Sequence, residues 1–518
     1  MRKALRLRYI SAVFVCVLLA CFFSPFAHAQ QTNVTIRVGV LRVVIEGTAA
    51  PSRVWSFRND YAGISELAER IEGLELFDAA HAEILNHKIA PGQFEAIAPA
   101  TKFRYEVNLS QTARGSDAAR MSWLSKERGL LMLGDLLPMP SQAVNRVTVN
   151  GDKTAPPETT AEQPIVHLLL PQGWAAYSNE SQNAAGDYAI QYADASVFVI
   201  GHHLRPSRIT VSGMTLNFVS DGEWAFADNE VLSMAADVLK THHAVFDSMP
   251  SRQATLILLP LNETSAAGKW SAETRGWTVT LLFSKQPSKI AALAQLSVPL
   301  AHELFHLWIP NGVRVNSDYD WFYEGFTVYQ AARTDVRLGL LTFQEFLTAI
   351  GRTYDAYENA MDRDRWSLVE ASQRRWTTGE SVVYRKSMLV AFLYDLKLRS
   401  QSHGKRSLDD VYREFFRLYR LSESDKRVAA QVPSADGSDA VIAALAREAG
   451  MRGFPEAFIR HPIEIDLPRE LSAFGIEVQR TGLRTHIAVR EPLTRQQRDL
   501  LRELGYNDYL RPTQRKHG

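Results

Sequence analysis

Apolar and polar residues alternate with period two through much of the chain from Asn33 to about Val219. Val34-Thr35-Ile36-Arg37-Val38-Gly39-Val40 and Phe103-Arg104-Tyr105-Glu106-Val107-Asn108-Leu109 each place every second side chain on one face, which predicts half-buried strands. Shorter runs at Ile165–Leu170, Val197–Ile200 and Ile209–Val219 predict further strands. Asn150-Gly151 after Val147-Thr148-Val149 predicts a hairpin turn, and the Thr/Pro/Glu-rich stretch Asp152–Pro164 an exposed loop. One segment departs from the pattern: the apolar spacing over Ile64–Leu74 predicts a short helix.

From about Asn229 the period becomes helical. Helices are predicted over Glu230–Phe246, Ala291–Trp308, Asp320–Arg333, Thr342–Tyr357, Glu380–Arg399 and Leu408–Leu421. Between the first two lie strands at Ala254–Pro260 and Trp277–Phe283, separated by a loop over Asn262–Gly276. Pro299 falls within the second helix, where proline fits only near the start or as a kink. After a polar stretch, Leu421–Ser438, comes a small mixed tail. Thr494-Arg495-Gln496-Gln497 there forms a capping box for a last helix ending at Gly505. No internal repeat is visible.

Composition adds a compartment to this outline. Arg2, Lys3, Arg6 and Arg8 precede the apolar run Ile10–Phe23 and the small-residue site Ala27-His28-Ala29, the pattern of an export signal cleaved after Ala29. An uncleaved anchor is the alternative, although Ser24-Pro25 ends the run early. Leu18-Leu19-Ala20-Cys21 also resembles a lipobox, which would make Cys21 a lipidation site. Cys16 and Cys21 are the only cysteines, so the mature chain has neither disulfide nor thiol nucleophile. Taking four of the 58 basic residues away with the signal leaves 54 against 57 acidic ones, a net charge of −3. Without a sustained basic run, nucleic acid is not an expected partner. The expected location is periplasmic or secreted, with no stable membrane insertion once the signal is removed.

Candidate chemistry is concentrated in Ala301-His302-Glu303-Leu304-Phe305-His306-Leu307-Trp308. Histidines four apart on a helix share a face, so both imidazoles can reach one metal ion. Glu303, next to the first of them, can accept a proton from an attacking water. Eighteen positions after His306, Glu324 lies in Trp321-Phe322-Tyr323-Glu324-Gly325-Phe326-Thr327-Val328-Tyr329 and starts a second apolar helical run. It is the expected third ligand of a catalytic zinc site, which takes three protein ligands and keeps one position open. Tyr323, Tyr329, Trp308 and Trp321 read as packing residues or walls of the cleft.

These two blocks resemble the glycyl aminopeptidase family of gluzincin zinc metallopeptidases. The resemblance extends through Ser367-Leu368-Val369-Glu370-Ala371-Ser372, Val383-Tyr384-Arg385-Lys386-Ser387, Asp395-Leu396-Lys397-Leu398-Arg399 and Ser407-Leu408-Asp409-Asp410-Val411, covering roughly Pro299 to Phe416. It implies a β-domain before a thermolysin-like catalytic domain and one zinc ion held by His302, His306 and Glu324. Glu303 would be the general base, and Tyr384 the hydrogen-bond donor to the tetrahedral intermediate. The sequence departs from related patterns in four places. Val328 stands where thermolysin-like enzymes carry Asp, and Ser387 where the family usually has Gly. The family's Gly-Gly-x-Glu-His segment near the substrate amine is replaced by Gly268-Lys269-Trp270-Ser271-Ala272-Glu273-Thr274-Arg275, which retains only Glu273 as a candidate anchor. Many members end in a PDZ domain, whereas the 43 residues after Gly475 suffice for at most a truncated remnant.

The expected architecture is multidomain α+β. A signal peptide (1–29) precedes a β-rich domain (30–222), a mostly helical gluzincin catalytic domain (223–425) and a small C-terminal helical/mixed segment (426–518). The expected function is zinc-dependent peptide-bond hydrolysis, aminopeptidase-like. An endopeptidase of the same fold and a non-catalytic peptide-binding scaffold are the alternatives. Peptide or protein is the expected substrate, and the oligomeric state is left open.

Overall fold

The computed structural model describes residues 32–110, 115–139, 164–261, 268–316, 318–421 and 435–507. The export signal, the Val147–Gly151 hairpin, nearly all of the Asp152–Pro164 loop and most of the Leu421–Ser438 stretch lie outside these residues. Among the described residues no helix is long and apolar enough to cross a membrane.

The alternating segments of the first half do form strands. Asn33–Val38, Arg42–Ser56 and Gln93–Asn108 lie side by side in a nine-stranded sheet, with Ile36 opposite Ile45 and Ile45 opposite Tyr105. Val34, Ile36, Val43, Ile45, Phe103, Tyr105 and Val107 are buried on one face, as the period of two requires. Ile165–Leu169 joins the same sheet parallel to Asn33–Val38. A four-stranded sheet contains Arg128–Met132 and Val197–Gly201. A small apolar cluster with Leu130, Val199, Val219, Ile257 and Leu282 joins it to the next sheet.

Ile64–Leu74 is not a helix. Only Leu67–Arg70 makes a single helical turn, and Ile71–Phe77 is a strand paired with Gln93–Asn108. A register shift between Glu72 and Glu75 breaks the strand's alternation and leaves apolar positions at spacings that imitate a helix.

A five-stranded sheet runs Arg205–Val211, Met214–Ser220, Gln253–Pro260, Thr278–Phe283, Trp270–Arg275, with the middle three parallel. Helix Asp228–Phe246 supplies the crossover between two of the parallel strands. The run expected at Ile209–Val219 is therefore two strands of a hairpin, hydrogen-bonded to Gln253–Pro260 rather than to the earlier sheets. Trp270–Arg275, expected within a loop, is an antiparallel strand at the edge next to Thr278–Phe283.

Helices Lys289–Phe305, Thr327–Arg337, Phe343–Glu358, Ser387–Gln401 and Leu408–Tyr419 bury their apolar faces in one large core. Pro299 sits well inside the first of these, where its missing N–H removes one internal hydrogen bond just ahead of His302. The C-terminal segment joins the same core. Ile476 and Ile487 of hairpin Ile476–Val489, and Leu500, Leu501 and Leu504, are buried in it. Arg399 ties helix Ser387–Gln401 to Glu503 of the last helix at 3.0 Å.

Candidate metal centre and catalytic cleft

Helix Lys289–Phe305 starts at Ser288, whose side chain accepts a hydrogen bond from the Ala291 amide, and delivers His302 and His306 one turn apart at its end. The Nε2 atoms of His302 and His306 lie 3.0 Å apart. Glu324 Oε2 is 3.2 Å from His302 Nε2 and 3.6 Å from His306 Nε2. The three side chains bring their ligand atoms within 4.8 Å of one another and form the single such group found among the described residues.

The surroundings of these atoms suit a cation. His306 Nδ1 is 3.0 Å from the Ile309 carbonyl, so its proton belongs there and the Nε2 lone pair faces the other two ligands. Lone pairs from two imidazoles and a carboxylate pointing at one another repel unless a positive ion sits among them. Two imidazoles and one carboxylate are also the donor set of catalytic zinc sites.

Glu324 rides on a wide helical turn, Trp321–Phe326, and a second such turn, Val382–Lys386, carries Tyr384. The two turns touch at Gly325. A Cβ there would lie 2.2 Å from Ser387 Cβ and 2.4 Å from the Val383 carbonyl oxygen. The glycine after Glu324 is thus what lets the two turns meet.

Arg375 joins them chemically. Its guanidinium lies 2.8 Å from Glu324 Oε1 and donates to the Tyr384 hydroxyl oxygen, to Tyr323 Oη at 3.2 Å and to Asp320 Oδ1 at 2.8 Å. Burial works against the Glu324 charge, but Arg375 and then His306 hold its carboxyl well below the ordinary range. Burial raises the Tyr384 phenol far above its usual value against the opposing pull of Arg375, so the hydroxyl keeps its proton. Because Arg375 uses an acceptor site of that oxygen, the hydrogen remains available to a substrate. Nothing in the sequence singled out Arg375, one of two adjacent arginines in a polar stretch. Nor is Tyr323 only a packing residue, since its hydroxyl donates to Asp320.

Glu303 is buried beside the ligands, with Oε2 accepting from Thr274 Oγ1 at 2.7 Å. Burial pushes its carboxyl up to about 7, against His302 and the Thr274 hydrogen bond, with Glu273 and Glu324 adding to the rise. Thr274 occupies the edge strand next to Glu273, which accepts from Tyr61 Oη at 2.6 Å and faces Arg120 Nε at 3.5 Å. Glu273 thus lies close to the centre, with partners supplied by the first half of the chain. Trp308 and Trp321 are fully buried core residues, and the partly exposed tryptophan beside Arg375 is Trp376.

Residues 295–390 match the M61 glycyl aminopeptidase family model. Among solved structures, an aminopeptidase N family protein from Idiomarina loihiensis shares the fold with a TM-score of 0.70 at 18% identity, over 87% of this chain and 79% of that one. A variant of an M1 zinc metallopeptidase from Deinococcus radiodurans aligns with a TM-score of 0.52 at 12% identity, over 85% and 96% of the two chains. A two-domain M1 zinc metallopeptidase variant bound to L-tryptophan aligns with a TM-score of 0.51 at 12% identity, over the same shares. None of the curated protein sequences matches significantly. The His-His-Glu centre lies inside the region that matches this family model, which supports a zinc metallopeptidase.

Proposed function

We propose that this protein is an exported aminopeptidase that holds one zinc ion on His302, His306 and Glu324. The observation that carries the reading is the convergence of those three ligand atoms next to a buried Glu303. Zinc bound there supplies positive charge that acidifies water and polarises a carbonyl. Glu303, buried beside these side chains, would take the proton of the attacking water and hand it to the leaving amine. Tyr384 donates its hydroxyl hydrogen to the oxygen that gains charge in the transition state. Arg375 keeps Glu324 and Tyr384 in place for these roles.

Glu273 is the anchor for the substrate's α-amino group, at the edge strand beside Thr274 and Glu303. Residues 1–29 direct export and are removed. The boundary between the β-rich and catalytic domains is drawn back from 222 to about residue 204, because the hairpin Arg205–Ser220 pairs with the sheet that positions the site, and the C-terminal segment is counted with the catalytic core it packs into.

One observation favours a second reading, an endopeptidase of the same fold: Tyr61 and Arg120 already engage the Glu273 carboxylate. Digesting a mixed peptide library, each peptide with a free and with an acetylated N-terminus, separates the two. Stepwise release of N-terminal residues from free peptides alone supports the aminopeptidase, and internal cuts in both sets support the endopeptidase.

A further inference from the structure

Beside Glu273 stands an arginine, Arg120, that the hydrolytic steps do not use. Residues 116–120 are pinned to the edge strand Trp270–Arg275. Ser271 Oγ donates to the Ser116 carbonyl at 2.8 Å and accepts from the Ala119 amide at 3.0 Å, while Arg275 donates to the Arg120 carbonyl at 2.6 Å. One of these hydrogen bonds holds the Arg120 carbonyl itself and the other two hold Ser116 and Ala119 just before it, so Arg120 is not carried on a free loop. Its guanidinium lies over the Trp376 ring at 5.2 Å, and its Nε is buried 3.5 Å from Glu273 Oε2 without forming a hydrogen bond. Arg120 thus touches both Glu273 and Trp376, and the Trp376 ring is also covered by Arg375, which bonds Glu324 and Tyr384. The Arg120 side chain is 24% exposed.

We propose that Arg120 makes this peptidase selective for substrates whose N-terminal residue has a carboxylate side chain, aspartate or glutamate. The proposal rests on the aminopeptidase reading of Glu273. An ammonium group arriving at Glu273 meets a guanidinium a few ångströms away, and the two cations repel. A substrate carboxylate on the same residue removes that repulsion by pairing with Arg120, whose planar fork matches a carboxylate. A neutral side chain offers no such compensation, and a lysine would add a third positive charge. Tyr61 keeps Glu273 oriented throughout by donating to its other oxygen.

The test measures kcat/KM of the zinc-loaded mature protein on X-Ala-Ala-Leu peptides with X as Glu, Asp, Ala or Lys, each with a free and an acetylated N-terminus. The expected result is that free Glu and Asp peptides exceed the Ala peptide by about 10- to 100-fold, the worth of one charge-assisted hydrogen bond, with Lys lowest. In Arg120→Gln the acid-to-Ala ratio should collapse, mainly through KM for the acidic peptides, and Arg120→Lys should restore part of it. Equal rates on Glu and Ala peptides by the unaltered protein overturn the proposal whether or not the variants fold. An Arg120-dependent acid preference that is equally strong in acetylated peptides keeps the carboxylate selection but overturns its assignment to a terminal residue, and with it the aminopeptidase reading.

Discussion

Arg375 lies 2.8 Å from the outer oxygen of Glu324, while the inner oxygen of the same carboxylate faces His302 and His306. One guanidinium thereby fixes which oxygen Glu324 would offer to a metal held with the two histidines. Replacing it should cost metal affinity before it costs anything else at the site. Losing an outer partner of a metal ligand typically costs about 10- to 100-fold in affinity, and Arg375→Gln should show that loss in competition with a zinc chelator. Arg375 also faces Asp320 and Tyr323, so the variant should lose about 3–5 kcal/mol of stability as a broken buried pair. Unchanged zinc affinity would remove Arg375 from its assigned role.

Tyr384→Phe deletes only the hydroxyl. Its donation is needed mainly in the transition state, so turnover should fall by about 10²- to 10³-fold with little change in KM. Because Arg375 donates to the lost oxygen, the zinc content of the variant should be measured too, and it should stay normal. Wild-type turnover would show that this tyrosine only packs.

Gly325→Ala tests the meeting of the two wide turns. The added methyl would overlap Ser387 Cβ and the Val383 carbonyl, a clash between backbones that cannot rotate away. Overpacking of this kind costs about 1–3 kcal/mol, and it should also displace Glu324 and lower zinc occupancy. Adding Ser387→Gly removes one of the two contacts and should recover part of the stability in denaturant titrations. No recovery would mean that the Val383 contact alone sets the limit.

Much of this was legible in the sequence, for physical reasons that differ by region. Strands such as Asn33–Val38 face core on one side only, so their alternation is plain. The spacing of His302 and His306 follows from helix geometry alone, and the Thr494/Gln497 capping box marked the start of the last helix. Trp270–Arg275 was hidden because two of its buried positions are polar: Ser271 bonds to Ser116 and Arg275 to Arg120, so neither shows as an apolar alternation. Arg375 and Arg120 were invisible because their partners are distant in sequence. The stretch Asp395–Arg399 and Asp409 were read only as family resemblance, yet they build a buried ionic network in which Asp395 accepts from Arg333, Arg399, Tyr329 and the Leu408 amide.

That network sets a pH dependence. Burial opposes the charge of Asp395, but Arg399 and Arg333, the Leu408 amide and the Tyr329 hydroxyl outweigh it and hold the carboxyl below its ordinary range. A depressed folded pKa gives stability that is complete above the unfolded value of about 3.9 and is lost as pH falls below it. Asp395→Asn should therefore lower stability by about 3–5 kcal/mol at pH 7, and the gap to the unaltered protein should narrow towards pH 3. A gap that stays constant with pH would contradict the assignment.

In the proposed mechanism Glu303 transfers protons at a zinc centre held by His302, His306 and Glu324. The most direct measurement is peptide hydrolysis by Glu303→Gln, with zinc content determined on the same sample. Glutamine keeps the shape and the Thr274 contact but cannot serve as a base. One zinc per chain together with a loss of about 10²- to 10⁴-fold in turnover is the predicted result. Wild-type turnover in a zinc-loaded Glu303→Gln protein would contradict the account.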